Sequence, residues 1–321
     1  MMIVALSALL AFTTGFAIKQ GNICAVAALH QWVEHADGAH FRTLLTGICC
    51  SGLVLLCTTW LLPGISTMSP TFSVTYLTFL GGVLFGIGAW FNGACVLGTI
   101  AYLSRGNLSY LGTIIGMASG AIAGQFAARP MPLGEVPWPA ASKWAAAGLA
   151  CLFVLIIAND RRLQHLRSQK PKLSGEQRSD LLPMIAVVGM CCGALHALNG
   201  EWSYLSAVNR LAHNLVAPET GVPLATVVLY GVATFAGGVS SAWRRRELKR
   251  LKASMRSSLR CASGGFIMGF AGCLIPGGNE SMMFYGIPSI APQAIVAYAV
   301  MTATLLLITQ TKRTIARKTL T

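Results

Sequence analysis

Long apolar runs separated by short polar stretches set the pattern of this chain. Residues 2–18 are apolar and uncharged, the run breaks at Gln20-Gly21-Asn22, and it resumes from Ile23 to Val33. Further apolar runs cover 43–62, 74–103, 108–128, 141–158, 183–212, 222–243, 261–285 and 290–309. A helix needs roughly 20 such residues to cross a hydrocarbon core of about 30 Å, so each run predicts a membrane span. Three of the later runs are also interrupted: at Asn92-Gly93, at Asn199-Gly200-Glu201, and at Pro276-Gly277-Gly278-Asn279. Counting every interrupted run once predicts nine crossings.

The most informative run is Gly81 to Asn107, an apolar helix that stops at Asn92-Gly93 and restarts with Cys95. Irregular backbone inside a membrane is tolerated only where it is buried in protein or lines a cavity, so the break predicts a substrate site. Each of the four breaks is followed by a short helix whose N-terminus is expected to point toward the middle of the membrane. Unpaired N–H groups and the helix dipole make such ends anion sites. Asn22, Asn92, Gly93, Gly277, Gly278 and Asn279 stand where a cap or a left-handed residue is required.

The pattern recurs within the chain. Gly15-FAIKQGNIC can be laid on Gly193-ALHALNGEW with the break at the same offset, and Gly81-GVLFGIG on Gly264-GFIMGFA. Five crossings precede the second copy, so the copies are expected to face opposite ways. Such inverted repeats build transport sites from broken helices at their interface. The expected division is a first repeat plus linking span at 1–158, a basic cytoplasmic loop at 159–182, a second, inverted repeat at 183–311 and a basic tail at 312–321. The expected fold class is an all-α polytopic membrane protein whose short helices meet at mid-membrane.

Composition agrees. Of 321 residues 54% are hydrophobic and 11% charged, with a mean hydropathy of +0.62, a balance foreign to soluble domains. The formal net charge is +14, but its placement carries the meaning. With the N-terminus outside, the inside segments hold 19 of the 24 Lys and Arg and the outside loops only Arg129. The positive-inside rule therefore predicts N-out, C-in. The same distribution argues against nucleic acid as a partner. The first Lys, Lys19, follows the first apolar run, whereas a signal peptide carries its charge before it, so a retained segment is expected. Ten cysteines form no Cys-x-x-Cys pair, which gives no support to a zinc or thioredoxin-like site.

Cys24 and Cys95 sit just past two breaks, and Cys273 three residues before a third. A thiol is a weak hydrogen-bond donor that suits a sulfur-containing anion, although a membrane cysteine also serves as a small packing residue. Lys19, beside the first break, is placed to balance a bound anion, to snorkel, or to pair. Arg210, in the second short helix, is expected in a salt bridge or as an anchor. Glu201 and Glu280 follow breaks and favour helix N-termini; proton coupling is the sharper reading of the two. His30 and His196 are candidate shuttles or buried structural residues.

The segment GGVLFGIGAWFNGACVLGT (81–99), with GFAIKQGNICAVAAL (15–29) before it, resembles the YeeE/YedE sulfur-transport family, which includes bacterial thiosulfate uptake proteins. That family shows a GGxLxGxGxxxxxGCxxGT-like signature and an N-terminal Cys after a short break. The second-half GGFIMGFA run and the Gly-Pro-rich turn after it extend the resemblance over most of the chain. It implies an inverted repeat with short helices meeting at a constriction, and a thiosulfate route lined by cysteines that Cys24 and Cys95 match. One departure stands out: the second half reads IPGGNE where Gly-Gly-Cys is usual, so Gly278 falls opposite Cys95. The expectation is thus a multi-pass protein of the bacterial inner membrane that imports thiosulfate or a related sulfur anion, without enzymatic activity or cofactor. A channel for another small solute and a thiol-redox component are the alternatives. Expected partners are the anion, membrane lipid and a cytoplasmic sulfur-handling protein as the intracellular sink.

Overall fold

A computed structural model describes residues 2–35, 39–62, 68–127, 143–168, 181–200, 207–208, 224–248, 253–275 and 277–318. Pro276, Glu201, Arg210, the loop 129–139, most of 169–182 and most of the second short helix lie outside the described residues. Within them the chain forms α1 (Met2–Gly21), α2 (Ala25–His35), α3 (Ala39–Leu61), α4 (Tyr76–Asn92), α5 (Val96–Ser104), α6 (Leu111–Ala127), α7 (Lys143–Ser168), α8 (Leu181–Asn199), α9 (Leu224–Arg244), α10 (Met255–Leu274), α11 (Asn279–Gly286) and α12 (Pro292–Lys318). A single α-turn opens α11, which continues as a π-helical turn over Met282–Gly286.

Among the described residues six stretches are long and apolar enough to cross a membrane: Met2–Glu34, His40–Leu61, Tyr76–Ser104, Leu181–Asn199, Ala225–Arg244 and Pro292–Ile315. The pair α10 and α11, bent by 49°, makes a seventh when taken as one span. The remaining two predicted runs correspond to α6, 17 residues long, and α7. Several helices outrun their apolar cores. α7 continues through Ser168 into the predicted basic loop, α10 begins at Met255 inside a basic run, and α12 reaches Lys318 in the tail. Hydropathy marks where lipid ends, whereas Arg and Lys are good helix formers and carry the backbone hydrogen bonds on into water.

Glycines set the helix crossings, because without a Cβ two backbones approach closely. α1 runs alongside α9 in the same direction: Ala11 clusters with Tyr230, Gly15 faces the Thr234 carbonyl, and Ser241 Oγ donates to Gln20 Oε1. α1 runs opposite to α8, with Ser7 against Asn199 and Gly21 against Met184. α3 follows α8, through Gly47 with Ile185 and Ser51 with Gly193. In the other half of the molecule α4 opposes α10, α6 follows α10, and α12 follows α4.

These pairings are unchanged when α1, α3, α4 and α6 are exchanged for α8, α9, α10 and α12. The correspondence holds residue by residue. Gly81 faces the Ala271 carbonyl of α10 as Gly264 faces the Gly88 carbonyl of α4. Gly82 and Gly86 face the carbonyls of Ala297 and Met301 on α12, as Gly265 and Gly269 face those of Thr113 and Met117 on α6. Each helix runs opposite to its counterpart. α7 stands outside the scheme: it packs on α3, where Phe153 covers Gly52 and the buried Asp160 accepts from Thr46 Oγ1 at 2.8 Å. The main core gathers the two broken helices α1–α2 and α4–α5 with α8, α10, α11 and α12.

Candidate functional site

All four breaks carry a residue in the left-handed region: Asn22 at φ 49°, Gly93 at 74°, Gly200 at 69° and Gly277 at 97°. Such a residue turns the chain out of one helix and lets the next start. At the first break Ile23 N–H bonds back to Ile18 O, and Cys24 O already accepts from Ala28 N–H at 3.0 Å, which makes Cys24 the residue that leads into α2. At the second, Gly93 N–H closes on Ala89 and Trp90 carbonyls, and Cys95 is the N-cap of α5.

The two breaks meet. Cys95 Sγ lies 3.7 Å from Cys24 Sγ, within thiol hydrogen-bond range. Both residues are buried. Cys24 leads into the first turn of α2 and Cys95 caps α5, so the backbone N–H groups of both first turns lie beside the sulfur pair. Two helix N-termini therefore converge on one pair of sulfurs. Gly98 makes the room: a Cβ there would stand 2.6 Å from Cys24 Sγ.

Asn92 holds this break in shape. Fully buried, it donates through Nδ2 to Ala94 O at 2.8 Å and to Thr99 Oγ1 at 3.0 Å, while Thr113 Oγ1 donates to its Oδ1 at 2.7 Å. Thr99 Oγ1 in turn donates to Cys95 O at 3.0 Å. Thr99 closes the 81–99 signature, which was the available signal for it, whereas Thr113 on α6 does not stand out in the sequence.

The equivalent break in the second half is built differently. Gly278 is the N-cap of α11, at φ −95° and ψ −177°, against φ −76° and ψ −179° for Cys95. The thiol is thus replaced by a hydrogen. Next to it the Asn279 amide is completely buried, and neither its oxygen nor its nitrogen has a hydrogen-bond partner. α11 packs against α5, so the two caps lie at one junction. Cys273 does not join Cys24 and Cys95. Its thiol donates to Ala121 O at 3.5 Å and accepts from Gln125 Nε2 at 3.9 Å, so it faces α6. Of the candidate shuttles, His196 is buried and stacked on Tyr285 with ring centroids 4.5 Å apart, and His30 pairs with Glu34 at 3.1 Å. Among the described residues no group of three His, Cys, Asp or Glu gathers as a metal site.

Lys19 is paired. Its side chain is fully buried and its Nζ donates to Glu247 Oε2 at 2.8 Å. Arg105 Nη2 reaches the same oxygen at 3.2 Å, and Arg245 Nη1 lies 3.8 Å from Oε1. Burial pushes the Glu247 carboxyl up, but the Lys19 hydrogen bond and the charges of Lys19, Arg105 and Arg245 outweigh it and hold the group below its ordinary range. Glu247 is the lone acid in the basic run 244–256, a sequence signal that marks it as a residue with a partner. A polar cleft beside this cluster opens onto Cys24, lined by Gln20, Asn22, Gln31, Thr43, Arg105 and Arg245.

A bundle of apolar helices in which two breaks meet at a buried polar junction is the build of a multi-pass membrane protein that handles a solute. The family model described as Sulphur transport matches residues 20–307, a range that includes all four breaks and both junction cysteines. The chain belongs to that sulphur transport family. A comparison with curated proteins finds no match.

Proposed function

We propose that this protein imports thiosulfate or a related small sulfur-containing anion across the bacterial inner membrane, through a constriction between two inverted repeats. The observation that carries the reading is the meeting of Cys24 and Cys95 at 3.7 Å, where the N-termini of α2 and α5 converge. Helix N-termini attract the anion's oxygens, and the thiols give weak, easily exchanged hydrogen bonds to its sulfur, as passage requires. Asn22, Asn92, Gly93, Gly277 and Gly278 shape the breaks, and Asn279 supplies an amide at the junction where Gly278 lacks a thiol. Lys19 acts through its pair with Glu247, and Cys273, which was expected on the route, packs against α6 away from the sulfur pair.

The exchange of helix pairings between the two halves, with every counterpart reversed, supports the inverted repeat and its division at the 159–182 loop. Nine crossings result when the bent α10–α11 pair counts once and α6 and α7 are included. The positive-inside rule orients them N-out, C-in, which puts Arg105, Arg245 and Glu247 at the cytoplasmic end. Import of an anion opposes an inside-negative potential of roughly 2.3 kcal/mol per charge per 100 mV, so coupling or an intracellular sink is required; a cytoplasmic sulfur-handling protein fills that role.

The test is uptake of radiolabelled thiosulfate by cells lacking their own sulfate and thiosulfate importers. Saturable uptake that falls in both Cys24→Ala and Cys95→Ala supports the reading. Uptake no better than empty vector, with the protein present in the membrane, refutes it. The closeness of the two thiols also favours a second reading, a thiol-redox component; it requires a reversible Cys24–Cys95 disulfide during turnover, which mass spectrometry detects.

A further inference from the structure

We propose that Asn279 is a specificity-determining residue of the junction: its buried amide donates to an oxygen of the passing anion and so selects sulfur oxoanions over oxygen-free sulfide. This deepens the import reading above and rests on it for the identity of the cargo.

Two asparagines lie fully buried beside breaks, and the fold uses them in opposite ways. Asn92 gives its whole amide to the fold: Nδ2 donates to Ala94 O and Thr99 Oγ1, and Oδ1 accepts from Thr113 Oγ1. Asn279 gives nothing to it: among the described residues neither its Nδ2 nor its Oδ1 has a hydrogen-bond partner. A buried polar group without a partner opposes folding, and such groups are rare in native structures. A leucine has nearly the same branched shape and would fill the place without that penalty. Packing therefore gives no reason for this amide, whereas a ligand that pairs with it does, in the usual exchange of stability for function.

Its position gives the second reason. When Gly264 is laid on Gly81, Gly278 falls on Cys95. The backbone agrees: Thr99 N–H bonds to Cys95 O and Met282 N–H to Gly278 O, each at 2.9 Å. The turn Asn279–Ser281 touches α5. Ile275 and Met282, on either side of that turn, share one core with Cys24 and Cys95. The first half thus brings sulfur to the junction and the second half brings an amide. Ser281, on the same turn, lines a narrow cleft with Ser69, Phe72 and Gln293, and Cys24 lines a second cleft with Thr43 and Arg105. With the N-terminus outside, the loop that carries Ser69 and Phe72 is outside and Arg105 is inside. An anion entering from outside then meets Asn279 before it leaves past Cys24.

The two kinds of group sort the anion's two kinds of atom. A thiol is a weak donor that suits a large, diffuse sulfur, while an amide N–H is a stronger donor that suits a compact oxygen. Thiosulfate carries both a terminal sulfur and oxygens, so it satisfies both groups at once, its sulfur on the thiols and an oxygen on Asn279 Nδ2. Water that accompanies the anion donates to Oδ1. Hydrosulfide satisfies the thiols alone and leaves the amide unpaired.

The experiment uses the purified full chain in detergent under reducing conditions. It reads thermal melting without anion, and binding of sodium thiosulfate by isothermal titration calorimetry at constant ionic strength, with chloride as control and hydrosulfide as competitor. Asn279→Leu is expected to melt about 2 °C above the wild type and to bind thiosulfate about tenfold more weakly. Stability gained while affinity is lost is a combination that a structural asparagine does not give. Asn279→Ala, which cannot overpack, is the second variant; it loses the same affinity and melts no lower than the wild type. Hydrosulfide is expected to keep its inhibition constant in both variants, or to bind none of the proteins. Unchanged thiosulfate affinity in either folded variant overturns the proposal, as does a wild type that binds no thiosulfate. Lower melting in both variants, or a parallel loss of hydrosulfide affinity, overturns it as well. Binding is read without transport, so Asn279-dependent binding by a protein that takes up no thiosulfate sinks the import reading alone, whereas uptake with affinity insensitive to Asn279 sinks this inference alone.

Discussion

Gly98→Ala offers a clean probe of where the Cys24 sulfur lies. The added Cβ would stand 2.6 Å from Cys24 Sγ, 3.1 Å from Cys24 Cβ and 3.2 Å from Ala94 Cβ. Ordinary non-bonded contact is about 3.5–4.0 Å, so the sulfur must retreat by about 1 Å, away from the position that holds it 3.7 Å from Cys95. Overpacking of this kind costs about 1–3 kcal/mol. Removing a glycine from a helix interior returns about 0.5–1 kcal/mol. The net destabilisation is then on the order of 0–2 kcal/mol, small enough for the variant to reach the membrane. Misplacing a reacting or binding group by 1 Å costs up to about a hundredfold in rate, so thiosulfate uptake is expected to fall about tenfold or more. The assay pairs uptake in cells with thermal melting of the purified protein in detergent. Adding Cys24→Ala to Gly98→Ala removes the overlapping atom and should recover about 1 kcal/mol relative to the sum of the single changes. Wild-type uptake by Gly98→Ala, together with additive stabilities, would refute the placement of the sulfur and with it the cysteine-lined constriction.

Further predictions follow from the same contacts. Asn92→Ala strips partners from Thr113, Thr99 and the Ala94 carbonyl at a fully buried site; at about 1–3 kcal/mol for a buried polar group left unpaired, a loss of about 2–4 kcal/mol is expected in detergent melts. Gly116→Ala drives a Cβ to 2.1 Å from the Ala262 carbonyl and should destabilise by about 1–3 kcal/mol, while Gly148→Ala meets nothing within 4 Å and should be neutral or stabilising by up to about 1 kcal/mol; equal melting of the two variants would contradict the α6–α10 crossing. The Glu247 carboxyl is held below its ordinary value of 4.5, so its contribution to stability is complete above that pH and is lost as pH falls through the lower folded value. A melting series from pH 7 to pH 3 should show this loss in the wild type and a shallower slope in Glu247→Gln.

The sequence by itself determined the membrane character, the position of every apolar run, and the four breaks. Each break announces itself through residues chosen for backbone conformation: Asn22, Gly93, Gly200 and Gly277 are the types that adopt positive φ at little cost, and a local conformational need is written locally. The internal match of the Gly81 and Gly264 runs was legible for the same reason, since close helix crossings demand glycine on both sides. Helix ends were not legible, because hydropathy reports the lipid boundary and says nothing about basic residues that continue a helix into water, as in α7 and α12.

Only the tertiary structure decided which residues meet. Cys24 and Cys95 became a pair, while Cys273, adjacent to a break in sequence, turned to α6, because the face a helical residue presents depends on which neighbour the helix packs against. Lys19 drew its partner from Glu247, more than two hundred residues away. Gly98 shows in the sequence only as part of the GT that closes the 81–99 signature, and Thr113 carries no mark; their roles exist only because α5 crosses the first break and α6 crosses Asn92. Periodicity and backbone preference are properties of a few neighbouring residues, whereas a binding site is a property of distances between segments, and those distances are set when the helices pack.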